Sequence, residues 1–326
     1  MLNQSPHVRD VTRLHVTEVM RRLRYRPSRL AARLSRGSPG TVLLLVPYLT
    51  RPSVVARLAG ALSVLDEQGF DAVLGNVESA AQLERHLRAL TARHGADGAV
   101  IFSLRLSARY LAELRDAGLP LVMVDTEAPG VPSTVVDDIR GGALATSHLL
   151  DLGHQRIGFV GDRPHPELGF VSTRRRLLGY RRALAAAGVG LDRGLVRLGE
   201  HSAAAAAALT EQLLRLPDPP TAIFAASDTQ ALGVLAGAER AGCRVPGGLA
   251  VIGYDDIEAA AQLGLSTVHQ PLGETGSSGA SRLCALIRGE RVRPLRQELA
   301  VCVVARSTTG WLAHPVRAGP APATAS

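Results

Sequence analysis

The chain has 326 residues, 46% of them hydrophobic and 20% charged, with a net charge of +8. All 37 of its Lys-plus-Arg residues are Arg, which excludes phosphate-loop, Schiff-base and kinase-type lysine chemistry. The length exceeds one compact core and fits two α/β lobes plus an appendage. No apolar run is long enough to span a bilayer, so a soluble, cytoplasmic protein is expected.

In chain order, residues 8–24 read as a helix, because Val8, Val11, Val16, Val19 and Leu23 fall near helical spacing. Pro27 interrupts it, Ser28 can cap a second short helix over 29–36, and Gly37, Pro39 and Gly40 form a linker. This arm holds most of the charge: residues 1–40 carry nine Arg against Asp10 and Glu18, a net +7. A positive arm on a nearly neutral body suits a molecule that grips a polyanion with one end.

From residue 41 strands and helices alternate. Strands are expected at 41–49, 71–77, 98–104 and 120–125, with helices at 53–68, 80–94 and 107–117 between them. A second series has strands at 156–161, 222–226 and 249–254 and helices at 173–187, 203–215 and 229–241. A helix at 273–288 and a strand at 298–304 complete the body. The fold class this implies is α/β, with two doubly wound parallel sheets and a ligand cleft at their carboxyl ends. The Pro/Ala-rich tail, 314–326, reads as disordered. Cys243, Cys284 and Cys302 are scattered in apolar surroundings, so buried thiols are expected, not disulfides or a metal cluster.

Five motifs in register resemble the lactose-repressor/galactose-repressor family of bacterial transcription regulators, over about residues 1–313. They are Leu2-Asn-Gln-Ser-Pro-His-Val8 with Thr12-Arg13 and Tyr25-Arg-Pro27; Leu149-Leu-Asp-Leu-Gly-His154 before Arg156-Ile-Gly-Phe-Val-Gly161; Arg176-Leu-Leu-Gly-Tyr180; Ser227-Asp228 with Ala231-Leu-Gly233; and Val251-Ile-Gly-Tyr-Asp-Asp256. The resemblance implies a periplasmic-binding-protein-like body. It divides into 1–39 as headpiece and hinge helix, 40–153 plus 271–304 as the first lobe, and 154–270 plus 305–313 as the second. It also implies a homodimer that binds operator DNA and a small effector.

By the same resemblance Met1 falls where the recognition helix is ending, so the helix-turn-helix is read as truncated. Met1 is then expected to be an internal valine codon of a longer frame, and the 326-residue form to bind DNA poorly. Leu34 would be the minor-groove wedge with Ala31 beside it, Arg29 and Arg33 would neutralise phosphates, and Asn3, His7 and Arg13 would touch the backbone, with Tyr25 closing the headpiece motif. The resemblance also puts Asp125, Arg176 and Asp255 at the cleft, where carboxylates accept from sugar hydroxyls and Arg176 offers a fork of donors.

Other positions depart from the pattern. Ser53-Val54, His201 and Leu272 stand where relatives carry aromatics, and Ser227 replaces a ligand-binding Asn. With 3% aromatic content, stacking on a flat base is poorly supplied, so a sugar or polyol is expected over a purine. His201 reads equally as a surface histidine at a helix start. Asp228 and the pair Asp137-Asp138 read as helix caps, and Asp255-Asp256 is also readable as a loop cap. No cofactor or metal is expected, and the common hydrolase and dinucleotide motifs are missing, so the chain is not read as an enzyme. Two alternatives stay open: a free sugar-binding protein, and a headless regulator that poisons the DNA binding of intact paralogues.

Overall fold

In the computed structural model, residues 10–22, 40–91, 96–165 and 167–310 are described. Asn3, His7, Tyr25, Arg29, Ala31, Arg33 and Leu34 lie outside these residues, as does the tail 314–326. Arg13 falls within the first helix, α1 (Asp10–Arg22), on which Val11 and Leu14 are exposed.

Strand composition decides the layering. The runs of β1 (Thr41–Pro47), β3 (Gly98–Phe102), β4 (Leu121–Val124) and β5 (Ser133–Val136) are buried almost throughout. Parallel strands covered on both faces need this pattern. Together with β2 (Asp71–Val77) and β11 (Arg296–Leu299) they form a six-stranded sheet in the order β11-β5-β4-β3-β1-β2, with every pairing parallel. Helices α2 (Pro52–Glu67), α3 (Ala80–Thr91) and α4 (Ala108–Asp116) are the crossovers. Ser107 accepts from Tyr110 N to cap α4, and Pro52 opens α2.

The second sheet, also parallel, has the order β7-β6-β8-β9 from β6 (Ile157–Asp162), β7 (Val196–Gly199), β8 (Ala222–Ala225) and β9 (Ala250–Ile252). It carries α6 (Ser172–Ala186), α7 (Ala203–Leu214) and α8 (Asp228–Arg240), the last two capped by Ser202 and Ser227, and then the short α9 (Glu258–Gln262). The expected class, two doubly wound lobes, is therefore present. Among the described residues no helix is long and apolar enough to cross a membrane.

Among the described residues the chain crosses between lobes three times, near Asp137, Gln270 and Ala300. Helix α5 (Asp138–Asp151) was read with the first lobe, yet it packs on α6 of the second. Glycines permit that approach: a Cβ on Gly142 would meet the Arg176 carbonyl, and one on Gly179 the Ile139 carbonyl. The turn at Gly153-His154 ends a helix and is no lobe boundary. The single strand expected at 298–304 is in fact two. β11 joins the first sheet beside β5, whereas β12 (Cys302–Val304) pairs antiparallel with β10 (Thr267–His269). Helix α10 (Leu272–Ile287) returns to the first lobe and lies along α2. The thiol expectation also needs correction: Cys284 is buried, but Cys243 is half-buried and Cys302 exposed, all three free.

Candidate functional site

Strand ends from both sheets converge on one gap. Among the described residues, five non-glycine residues have left-handed backbone: Tyr48 (φ 46°), Ser103 (φ 52°), Asp125 (φ 62°), Asp255 (φ 123°) and Asp256 (φ 60°). All five follow parallel strands at their carboxyl ends, where such strain collects when a site over-determines its backbone. Between the lobes lies a cavity of about 550 Å³ of empty space, part of it open to solvent, lined by Ser103, Asp125 and Asp255 among others. The room left inside it is only about 60 Å³. As it stands, the gap is nearly shut.

A charged network runs across it. Arg57, on α2, donates through Nη2 to Asp125 Oδ1 at 2.8 Å and to Gln270 Oε1 at 3.0 Å. Gln270, in the second crossing, donates to Asp255 Oδ1. Arg176 Nε donates to Asp138 Oδ1 at 2.8 Å, and Nη1 to the Ala226 carbonyl at 2.6 Å, with Asp255 Oδ1 3.6 Å away. The Arg176 guanidinium also lies 3.6 Å from the Tyr254 ring centroid. The two lobes and two of their crossings thus contribute to one chain of partners.

Burial sets the electrostatics. It works against the Arg176 charge, but Asp138, Tyr254 and Asp255 outweigh it and hold the pKa above the usual arginine value. Burial raises the pKa of Asp138 and Asp255, with Arg176 pulling each partly back. Asp162 goes the other way: burial is outweighed by His201, whose Nδ1 is 2.9 Å from Asp162 Oδ1, and by the Arg51 charge. Asp228 is pushed up to about 7, by burial first and the Asp255 charge second.

Of the residues expected at the cleft, Val54, Asp125, Arg176, His201, Ser227 and Asp255 line the cavity. Leu272 does not: it is buried in the second lobe's apolar core with Val251, Ile257 and Leu265. His201, expected either at the cleft or at the surface, lines the cavity with its side chain 16% exposed. Ser227 serves two ends, capping α8 through the Gln230 amide while its hydroxyl donates to Gln230 Oε1.

Asp228, the cap expected from the sequence, does not cap the helix. Ser227 holds the cap, while Asp228 sits fully buried and accepts from Thr267 Oγ1 at 2.6 Å and Ile257 N at 3.0 Å. Asp137 caps α5 as expected, but Asp138 turns inward to Arg176. Asp256 binds Arg306 and His269 and is not a cavity residue. Among the lining residues that the sequence does not single out are Arg51, Arg57, Asp162 and Phe170. Arg57 follows Val54 by one helical turn, and that i, i+3 spacing is the signal that could have found it.

Among the described residues no group of His, Cys, Asp and Glu could hold a metal ion. What the gap offers is convergent polar side chains on two hinged lobes, the make-up of a small-ligand binding protein. Comparison with known proteins bears on this. The family described as Periplasmic binding protein-like domain matches residues 146–309. The regulator CelR of Thermobifida fusca is 34% identical over 321 residues, covering 94% of this chain and 92% of its own. A solved CelR–cellobiose complex is 31% identical, with a TM-score of 0.74 and 94% and 93% coverage.

The repressor PurR of Aliivibrio salmonicida is 28% identical over 293 residues, covering 88% of this chain and 87% of its own. The Lac repressor bound to ONPG in its repressed state is 28% identical, with a TM-score of 0.82 and 94% and 93% coverage. These relatives are transcriptional regulators, not enzymes. The chain belongs to the lactose-repressor/galactose-repressor family of transcriptional regulators.

Proposed function

We propose that this chain is a cytoplasmic, homodimeric transcriptional repressor whose DNA binding is controlled by a small polyhydroxy effector held between the lobes. One observation carries the reading. Arg176 is buried at the cavity wall, fixed by Asp138 and Ala226, and stacked on Tyr254. A rigid fork of donors on a buried side chain is what a ligand rich in oxygen acceptors needs. The cellobiose bound by CelR supports a sugar as the class, and PurR among the relatives makes nucleobases the class to test against.

Effector would act through unequal affinity for two lobe arrangements. A gap this narrow must open to admit a sugar and close on it, and that rotation would change the spacing of the two hinge segments, 29–36, of a dimer. At the DNA end the assigned residues are Leu34 as wedge, Ala31 beside it, and Arg29 and Arg33 on phosphates. Asn3, His7, Arg13 and Tyr25 belong to the headpiece. Leu34→Ala in the native gene product should remove the bend in a selected operator, and an unchanged bend would rule out the wedge.

The effector itself is found by thermal shift across neutral sugars, sugar acids and nucleobases. A compound at about a hundred times its Kd stabilises by about 2.7 kcal/mol, raising Tm by about 5 °C or more. A sugar among the hits supports the reading. Nucleobases as the only hits would overturn the sugar class, and silence across the panel would overturn the effector site.

A further inference from the structure

One charged side chain in the cleft is left out of the network. We propose that the effector carries an oxyanion, a carboxylate or a phosphate on its polyhydroxy body, and that Arg51 receives it at the N-terminal end of α2. The proposal rests on the reading of the cleft as an effector site.

Acceptors in the cleft are largely spent and donors are not. Asp125 already accepts on both oxygens, from Arg57 and from Ser103 Oγ at 2.6 Å. So does Asp162, which meets His201 and Gln230 on Oδ1 and Thr173 on Oδ2. Asp255 Oδ1 takes the Gln270 amide, and Asp138 Oδ1 takes Arg176. The carboxylates that might have welcomed sugar hydroxyls are largely occupied from within.

Donors are what remain. Among the described residues no hydrogen bond or ion pair reaches the Arg51 guanidinium. It rests instead over two aromatic rings, 4.2 Å from the Tyr48 centroid and 5.6 Å from that of Phe170. Stacking on a ring face leaves the in-plane N–H groups unspent. Burial lowers the Arg51 pKa, and the nearby Asp162 charge does not make up the difference. A cation is thus partly desolvated without a counter-charge in contact, which is costly until one arrives.

A second, independent group points the same way. Arg57 is only 3% exposed and lines the cavity, yet its Nε is buried with no partner. Arg51 itself occupies the N-cap of the 16-residue helix α2, where no side chain caps the first turn. Ser53 lines the cavity there too, at the positive end of the helix. An oxyanion supplies acceptors to all of these at once.

Calorimetry on the full chain tests it, with D-gluconate, D-glucuronate and D-glucose 6-phosphate set beside D-glucose and inorganic phosphate. At least one sugar anion should bind about ten-fold or more tightly than D-glucose, as a charge-assisted contact allows. The carboxylate and phosphate arms identify the oxyanion, and inorganic phosphate measures it without hydroxyls. Arg51→Gln should cut the anion-to-neutral affinity ratio by about ten-fold, and Arg51→Lys should restore part of it.

D-glucose binding as tightly as every anion, or a ratio untouched by Arg51→Gln, overturns the oxyanion. Neutral binding that needs Arg176 but ignores Arg51 would leave the effector reading standing without it. If none of the five binds, the oxyanion falls, and the effector reading falls with it only when the wider panel is silent too.

Discussion

Arg57 and Asp125 meet at 2.8 Å with side chains only 4% and 10% exposed, one from α2 and the other from the end of β4. The pair fixes the wall of the cleft and, through Gln270, ties it to a crossing between lobes. Removing one member leaves a buried charge alone, which typically costs about 3–5 kcal/mol, whereas replacing both with apolar groups of similar size is far milder. Arg57→Met should therefore lower the unfolding free energy by about 3 kcal/mol in urea titrations, and Arg57→Met with Asp125→Leu by clearly less. Equal losses in the two proteins would mean the pair is not coupled.

The seam between α2 and α10 depends on a missing side chain. A Cβ on Gly276 would run into the Arg57 carbonyl, which is backbone and cannot swing aside. Gly276→Ala should cost about 1–3 kcal/mol by overpacking and should displace the helix turn that carries Arg57. Gly190, with nothing near its would-be Cβ and no left-handed backbone, is the control. Gly190→Ala should be neutral or slightly stabilising, and similar melting losses in both would contradict the seam.

Acidity should report on Asp228. Its pKa rises from the carboxylate value of 3.8 to about 7 on folding, so between those limits the folded chain binds more protons than the unfolded one. The resulting stability is fully present below about pH 4, falls as pH rises through about 7, and is flat above. The slope for one such group approaches about 1.4 kcal/mol per pH unit. Asp228→Asn removes it, so the stability difference between variant and parent should move in the variant's favour from pH 5 to pH 8. A difference constant across that range would mean Asp228 titrates normally when folded.

Legibility in the sequence followed the physics of each signal. The interior strands β1, β3 and β4 were readable because fully buried parallel strands are continuous apolar runs. Ser133–Val136 and Val196–Gly199 escaped, being four residues each and partly polar. Helix α5 was assigned to the wrong lobe because packing through Gly142 and Gly179 is a tertiary fact. In the cleft, Arg176 and Asp255 were legible from motif position. Arg51 looks like an ordinary helix-start arginine, and only its tertiary neighbours reveal that it is stacked, whereas the burial of Arg57 is hinted at by its place one turn after Val54. Leu272 failed for the opposite reason: it sits at the start of a helix facing the cleft region, but its side chain completes the second lobe's core.

The central claim is that Arg176 holds a small ligand between two lobes. Arg176→Lys tests it most directly, since the charge beside Asp138 survives while the fork of donors is lost. Calorimetric titration with a compound found by the thermal screen should give a Kd at least about ten-fold weaker in the variant, with cooperative unfolding retained. An unchanged Kd in a folded Arg176→Lys protein would contradict the account.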